Sequence, residues 1–348
     1  MNYLSSKYDL SVINYYLDTE FVKERKPEVN IYENGVLFPP GTNHKPGVFS
    51  AADASEVSVE INQAVVYLGC FDISHFGNIL VDEISRLWYN NIEGVKWAFI
   101  ATKRFDPKYL HIFLEFLGIE KDRVIRVSSP TRFSCIYVPA MTFLHRRFVL
   151  QEYSSIYERM FQNMKFKSEY ETYEKIYLTR RKLRKKKEIG EWRFEFFFKS
   201  NGYKVIAPER LSIEQQALVM RNAQNIASIE GTHAHGVVWC RRANSNNMKQ
   251  IILRKQSECI PRQMMLNQLW AIDTSFVDIF EEPFKRFPIS HDRGPFLLRW
   301  SEQIEQFAKD NNMIVPKRCR YGFVQDYIGY VVKCFLYWMK HNLKSIMK

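Results

Sequence analysis

Short apolar runs alternate with longer amphipathic ones along most of this chain, and the alternation predicts the fold class. Ala64 to Gly69, AVVYLG, is apolar, ends at Gly and predicts a buried strand. From His75 to Asn90 the apolar residues Ile79, Leu80, Ile84, Leu87 and Trp88 recur at helical spacing. That spacing predicts a helix whose other faces carry Asp82, Glu83 and Arg86. Val95 to Ala101 predicts a strand, Tyr109 to Leu117 a helix stopped by Gly118, and Val124 to Val127 the next strand. Ile136 to Val138, ahead of Pro139, predicts one more. Strands alternating with helices over this length are the pattern of a parallel sheet.

The pattern is interrupted on either side of that stretch. Residues 1–60 show no regular period, and Tyr32 to Val48 is rich in the turn formers Gly, Pro and Asn. Phe143 to Tyr173 predicts mostly helix. A second alternation then begins. Ile176 to Thr179 predicts a strand, Glu191 to Asn201 an amphipathic helix ended by Gly202, and Tyr203 to Ala207 a strand. Ser212 is a good N-cap for a helix running to about Ala223. Asn225 to Ile229 predicts a strand, Gly231 a turn into the helix His235 to Arg241, and Gln250 to Arg254 another strand. Phe323 to Lys348 reads as one long helix rich in Phe, Tyr, Trp, Met and Ile.

Two βαβ series joined by a helical connector predict an α/β fold of two Rossmann-like domains. The expected division is 1–160, 161–322 and a terminal basic amphipathic helix at 323–348. The length of 348 residues agrees with two domains, since single cores stop growing beyond about 250 residues. No window approaches ~18 uncharged apolar residues, so no spanning helix is expected. MNYLSSKYDL has no basic stretch leading into an apolar one, so no signal peptide is expected. A cytoplasmic protein is the resulting expectation.

Charge narrows the partner. Lys and Arg number 50 against 38 Asp and Glu, a formal net charge of +12. Such an excess suits nucleic acid, an anionic membrane surface or a phosphorylated small molecule. The six cysteines (Cys70, Cys135, Cys240, Cys259, Cys319 and Cys334) stand in no zinc spacing and read as reduced thiols.

Three constellations could carry chemistry. TRRKLRKKK, Thr179 to Lys187, follows directly on a strand and holds seven basic residues in the eight from Arg180. Ligand crevices lie at the carboxyl ends of parallel strands, and Arg forks suit phosphate oxygens. A solvated basic loop is the plain structural alternative. The run holds no aromatic residue and no nucleic-acid motif, which disfavours a nucleic-acid partner. SIEGTHAHG, Ser228 to Gly236, is a strand end, a turn and a helix start. Gly231 permits close approach of a phosphate to the backbone, Thr232 can donate a hydroxyl, and the helix N-terminus offers free N–H groups. Glu230 could accept from a ribose diol. His233 and His235 alone do not make a metal site. DISHFGNILVDEISR, Asp72 to Arg86, offers His75, Asp82 and Glu83 as general-base candidates, each alternatively a surface or capping residue.

Together these stretches resemble glycosyltransferase family 61. HFGNILVDEISRLW, His75 to Trp88, is similar to the family's first-domain stretch around Gly-His-Phe. YLTRR supplies Arg180 where the family has a strand ending in Ser/Thr-Arg, and Gly190-Glu191 stands at its Asn-Glu pair. LSIEQQ puts Gln216 in the family's Gln position, and SIEGTHAH matches its Gly-rich turn before a His. The resemblance covers roughly His75 to Arg254, with a looser match at 273–295. Asn78 replaces the family's His and Gly190 its Asn. An amide takes no proton near neutral pH, so Asp82 is the expected base, with His75 the alternative.

The resemblance implies a GT-B architecture, two Rossmann-like domains facing across a cleft. It implies inverting, metal-independent transfer of a sugar from a nucleotide-sugar donor, expected to be UDP-linked, with no further cofactor. The expected acceptor is a saccharide or lipid-linked glycan in surface-glycan assembly of the capsule or O-antigen type. On this expectation Arg180 and Arg181 neutralise the diphosphate, Gly231 and Thr232 bind phosphate, and Glu230 holds the ribose. His235 orients the leaving phosphate, Glu191 supports Arg180, and Gln216 completes the donor side. On the acceptor side Arg86 partners Asp82 one helical turn on, near Asn78. The basic C-terminal helix would touch the inner face of the plasma membrane, or pack back on the domains. Two alternatives stay open: a family member that binds a glycan or nucleotide sugar without turnover, and a nucleic-acid binder using the basic run.

Overall fold

A computed structural model describes residues 1–50, 54–72, 75–89, 94–183, 187–241, 248–258, 261–284 and 294–346. Arg184, Lys185 and Lys186 of the basic run, Cys259, and most of the looser match after 284 lie outside the described residues. The chain is mixed α/β. It forms two compact units, Glu20–Lys165 and Met1–Thr19 with Phe166–Lys348.

The smaller unit is built on a mixed sheet. Its centre is the 13-residue strand Val59–Phe71, pairing in parallel with Lys96–Ala101 on one side and Thr131–Pro139 on the other. Val124–Val127 pairs in parallel with Lys96–Ala101. The region expected to be irregular adds antiparallel strands at this sheet's edge. Val29–Glu33 and Val36–Phe38 pair with Thr131–Pro139, and Gly47–Phe49 pairs with Val36–Phe38. These strands are short and bounded by Gly and Pro, so their own sequence shows no period. Partners some 100 residues away hold them.

Two further segments differ from the periodicity. Phe143 to Tyr173 holds the antiparallel pair Phe143–Leu144 and Phe148–Leu150, turning at Arg146 with φ +64°, before the helix Glu152–Asn163. His75 to Asn90 is not a regular helix. A single turn at Phe76–Asn78 passes into a π-helix at Ile79–Glu83, and only turns follow. Tyr153 donates to the Val81 carbonyl at 2.7 Å, and the Tyr157 hydroxyl donates to that of Leu80. These bonds satisfy carbonyls that an α-helical ladder would otherwise engage.

The larger unit carries a five-stranded sheet in which every pairing is parallel. In chain order its strands are Lys175–Leu178, Lys204–Ile206, Asn225–Ile229, Lys249–Arg254 and Asp273–Asp278. In space the order is second, first, third, fourth, fifth. The middle strands are apolar on both faces, with Ile226, Ala227, Ile229, Ile252 and Leu253 buried, as strands covered on both sides must be. Phe194, Phe197 and Phe198 of the helix Trp192–Ser200 pack on Tyr177, Ile251 and Leu253. Tyr3 joins this core, and its N–H donates to the Phe276 carbonyl at 2.8 Å, which ties residues 1–19 to this unit. Ser212 caps Ile213–Asn222 in a full capping box with Gln215.

The helix Phe323–Ile346 closes the chain. Tyr330 and Cys334 pack on Leu297, with Ile189, Phe323 and Tyr327 beside them. Buried Arg193 anchors its start by pairing with Asp326 at 2.6 Å. Among the described residues no helix is long and apolar enough to cross a membrane.

Candidate functional site

The strand order of the larger unit singles out one place. The chain runs from the first strand outward to the second, then returns past the first to the third. Ligands bind at such a reversal, beyond the carboxyl ends of the two strands that flank it. Here those ends are Thr179–Arg180 and Glu230–Gly231, and the fourth strand brings Lys255 alongside.

Arg180 and Lys255 converge on Gly231. A Cβ at Gly231 would lie 3.1 Å from Arg180 Nη1 and 3.7 Å from Lys255 Nζ. With φ at +133° and no side chain, Gly231 leaves that space open between two cations. Both cations are held from below by buried Glu188. Arg180 Nε donates to Glu188 Oε1 at 2.7 Å, and Lys255 Nζ stands 3.5 Å from the same oxygen. The Glu188 carboxyl is pulled below its usual value. Burial alone would raise it, and the Arg180 and Lys255 charges and the Arg180 bond outweigh burial. Lys255 is almost fully buried against the Phe296 ring, 4.3 Å from its centre. Burial and the Arg180 charge lower its pKa.

Glu191 positions Arg180 through the backbone. It is buried and accepts the Arg180 N–H at 2.7 Å, with Tyr177 and Thr179 hydroxyls at 3.3 and 3.2 Å. Burial pushes its pKa up to about 7, against the pull of the Arg180 N–H bond. Gly190, at the family's Asn position, has φ +95°, and a Cβ there would meet the Leu298 carbonyl at 2.5 Å. A side chain has no room at this turn, so Gly is needed structurally.

Glu230 lies under the turn, accepting the Lys255 N–H. Its Oε2 is buried with no hydrogen-bond partner among the described residues. Burial drives its pKa up to about 7 although Arg254 and Lys255 pull it down. His233 faces the same cations. Burial, then Arg180, Lys255 and His235, lower its pKa to about 3, so the ring is neutral. Its Nδ1 also has no partner among the described residues, and Nε2 is 3.7 Å from Glu209.

Three further expected donor residues, Arg181, His235 and Gln216, have partners of their own. Arg181 is exposed and pairs with Glu195 at 3.0 Å, on the helix rather than toward Gly231. His235 is buried, with Nδ1 2.7 Å from Gln263 Oε1, in a network with Gln250 and Asn267. Gln216 donates to the carbonyls of Pro208 and Leu211, bracing a loop. Thr232 is half-buried beside Gly231. The helix expected from His235 is a six-residue 3-10 helix, Ala234–Trp239, too short for an N-terminal anion site. An anion placed here would meet side chains and the open turn. The sequence alone singled out neither Lys255 nor Glu188, and His233 only as a weak metal candidate. The available signal was position: Lys255 ends the fourth strand as Arg180 and Glu230 end the first and third.

In the smaller unit the π-helix carries Asp82 and Glu83, both half-buried. Glu83 Oε2 is buried with no hydrogen-bond partner among the described residues. Burial and the Asp82 charge push its pKa up to about 8. His75 is exposed and its carbonyl accepts from Asn78 and Ile79. Arg86 donates to the Pro139 carbonyl and lies 5.9 Å from the centre of the Tyr67 ring.

Comparison with known proteins matches residues 76–245 to the model of the family described as Glycosyltransferase 61. No curated protein matches the chain.

Proposed function

Through residues 76–245 the chain belongs to the glycosyltransferase 61 family, and on that premise we propose that its larger unit binds a nucleoside-diphosphate sugar at Gly231. One observation carries this reading: Arg180 and Lys255 converge on an open glycine at the sheet's reversal point. When a sugar leaves a nucleoside diphosphate, negative charge grows on the phosphate oxygens. Preorganised cations beside that charge stabilise the transition state. In this reading Arg180 and Lys255 meet the diphosphate, the Gly231–Thr232 turn approaches it closely, and Glu230 takes the ribose hydroxyls. Glu188 and Glu191 hold the two cations in place.

The transfer is inverting. The acceptor hydroxyl attacks the anomeric carbon, the bond to the diphosphate oxygen breaks, and that oxygen keeps the electron pair. A carboxylate of the smaller unit takes the hydroxyl proton. The two units then serve as the donor and acceptor halves of a GT-B enzyme. The acceptor class, a saccharide or lipid-linked glycan of surface-glycan assembly, rests on the family resemblance, as does a UDP-linked donor.

Asp82 is the base in the primary reading. A second reading assigns that role to Glu83, favoured by its unpartnered buried oxygen and its pKa of about 8. A base must be deprotonated to act. Turnover that rises with pH through about 8, and is lost in Glu83→Gln while donor binding survives, selects Glu83. The same loss in Asp82→Asn selects Asp82. A panel of nucleotide sugars in a thermal-shift and transfer assay tests the function as a whole. A donor that raises the melting temperature and is consumed with an acceptor supports it. Binding without turnover on any acceptor would favour the non-catalytic alternative.

A further inference from the structure

The last helix presents an uncovered apolar face. Val324, Ile328, Val331, Val332, Phe335, Leu336 and Trp338 are all exposed, by between 37% and 71%. At about 100° per residue they fall within one sector roughly 160° wide. The opposite side, with Tyr327, Tyr330 and Cys334, is the one packed on the unit. The helix is therefore apolar on two sides, and packing accounts for only one of them. Exposed apolar patches of this extent on a folded protein mark an interaction surface.

Charge decides the occupant. Seven Lys or Arg follow from Lys317 to the end of the chain, against one acid, Asp326. That acid is already neutralised by Arg193. Lys317, Arg318 and Arg320, directly before the helix, and Lys333 on it are all exposed. A second copy of the helix would bring those like charges together, whereas an anionic bilayer would attract them. No helix among the described residues is long and apolar enough to cross a membrane. A helix with an apolar face and a basic flank lies in the plane of the interface. We propose that Phe323–Ile346 docks the protein on an anionic lipid surface through the face running from Val324 to Trp338.

The inference does not depend on the donor site, and its test separates the two. The full chain is floated with vesicles of phosphatidylcholine mixed with phosphatidylglycerol, and with phosphatidylcholine alone. The wild type binds the anionic vesicles, added salt weakens binding, and neutral vesicles bind at least about tenfold less. The double variant Val332→Glu, Leu336→Glu loses anionic-vesicle binding by about tenfold or more, with unchanged melting temperature and nucleotide-sugar affinity. Both positions are exposed, so the fold does not need them. Equal binding to neutral vesicles, binding unaffected by the double variant, or no binding would overturn the proposal. So would a dimer in sedimentation equilibrium that the double variant dissociates, because a second copy would then cover the face.

Discussion

Arg180 and Arg181 are neighbours in sequence with opposite fates. Arg180 sits at the strand end and is steered by Glu188 and Glu191 toward Gly231, while Arg181 turns out to Glu195. Composition cannot separate them; the alternation of side chains at a strand end can. Glu230 makes a second residue-scale prediction. Its folded pKa of about 7 stands above the ordinary value of 4.5. For an acid raised in this way the folded state holds the proton more tightly than the unfolded one. That stability is present at low pH and lost as pH rises toward 7. Glu230→Gln keeps an acceptor for the Lys255 N–H and has nothing to ionise. It should match the wild type near pH 5 and exceed it at pH 8 by on the order of 3 kcal/mol. Chemical denaturation at the two pH values checks this, and an unchanged difference between them would show that Glu230 does not titrate as described. Lys255 was legible in the sequence only after the fourth strand's end was aligned with the first and third.

At the scale of elements, the parallel strands were the most legible part. Val124–Val127 and Asn225–Ile229 have the bounds their apolar runs predict, and in Asn225–Ile229 burial on both faces writes itself into the short run. Ser212 announced its helix for a similarly local reason. What stayed hidden depends on distant partners. The edge strands before residue 50 need Thr131–Pro139, and the π-helix has the Tyr153 and Tyr157 hydroxyls on its carbonyls. The turn at Gly190 belongs here too, since its conformation fixes how Glu188 and Glu191 flank Arg180. Gly190→Ala sets a Cβ against the Leu298 carbonyl at positive φ, and should cost about 2 kcal/mol or more. A melting temperature equal to the wild type's would show that the turn relaxes freely.

At the scale of the molecule, the net charge of +12 resolves into a few places with different work. Part of it is buried at the carboxyl ends of the larger unit's sheet, where Arg180 and Lys255 share the Glu188 carboxylate and converge on Gly231. Part lies on the final helix beside an exposed apolar face. The central claim is that the first of these holds a nucleoside diphosphate. Calorimetric titration of uridine diphosphate, and of other nucleoside diphosphates, into the wild type, Arg180→Ala and Arg181→Ala tests it most directly. One of them should bind the wild type. Arg180→Ala should then weaken binding at least about tenfold, as loss of a charge-assisted bond does, while Arg181→Ala stays within about twofold. A wild type that binds no nucleoside diphosphate, or one whose affinity survives in Arg180→Ala, would contradict the account.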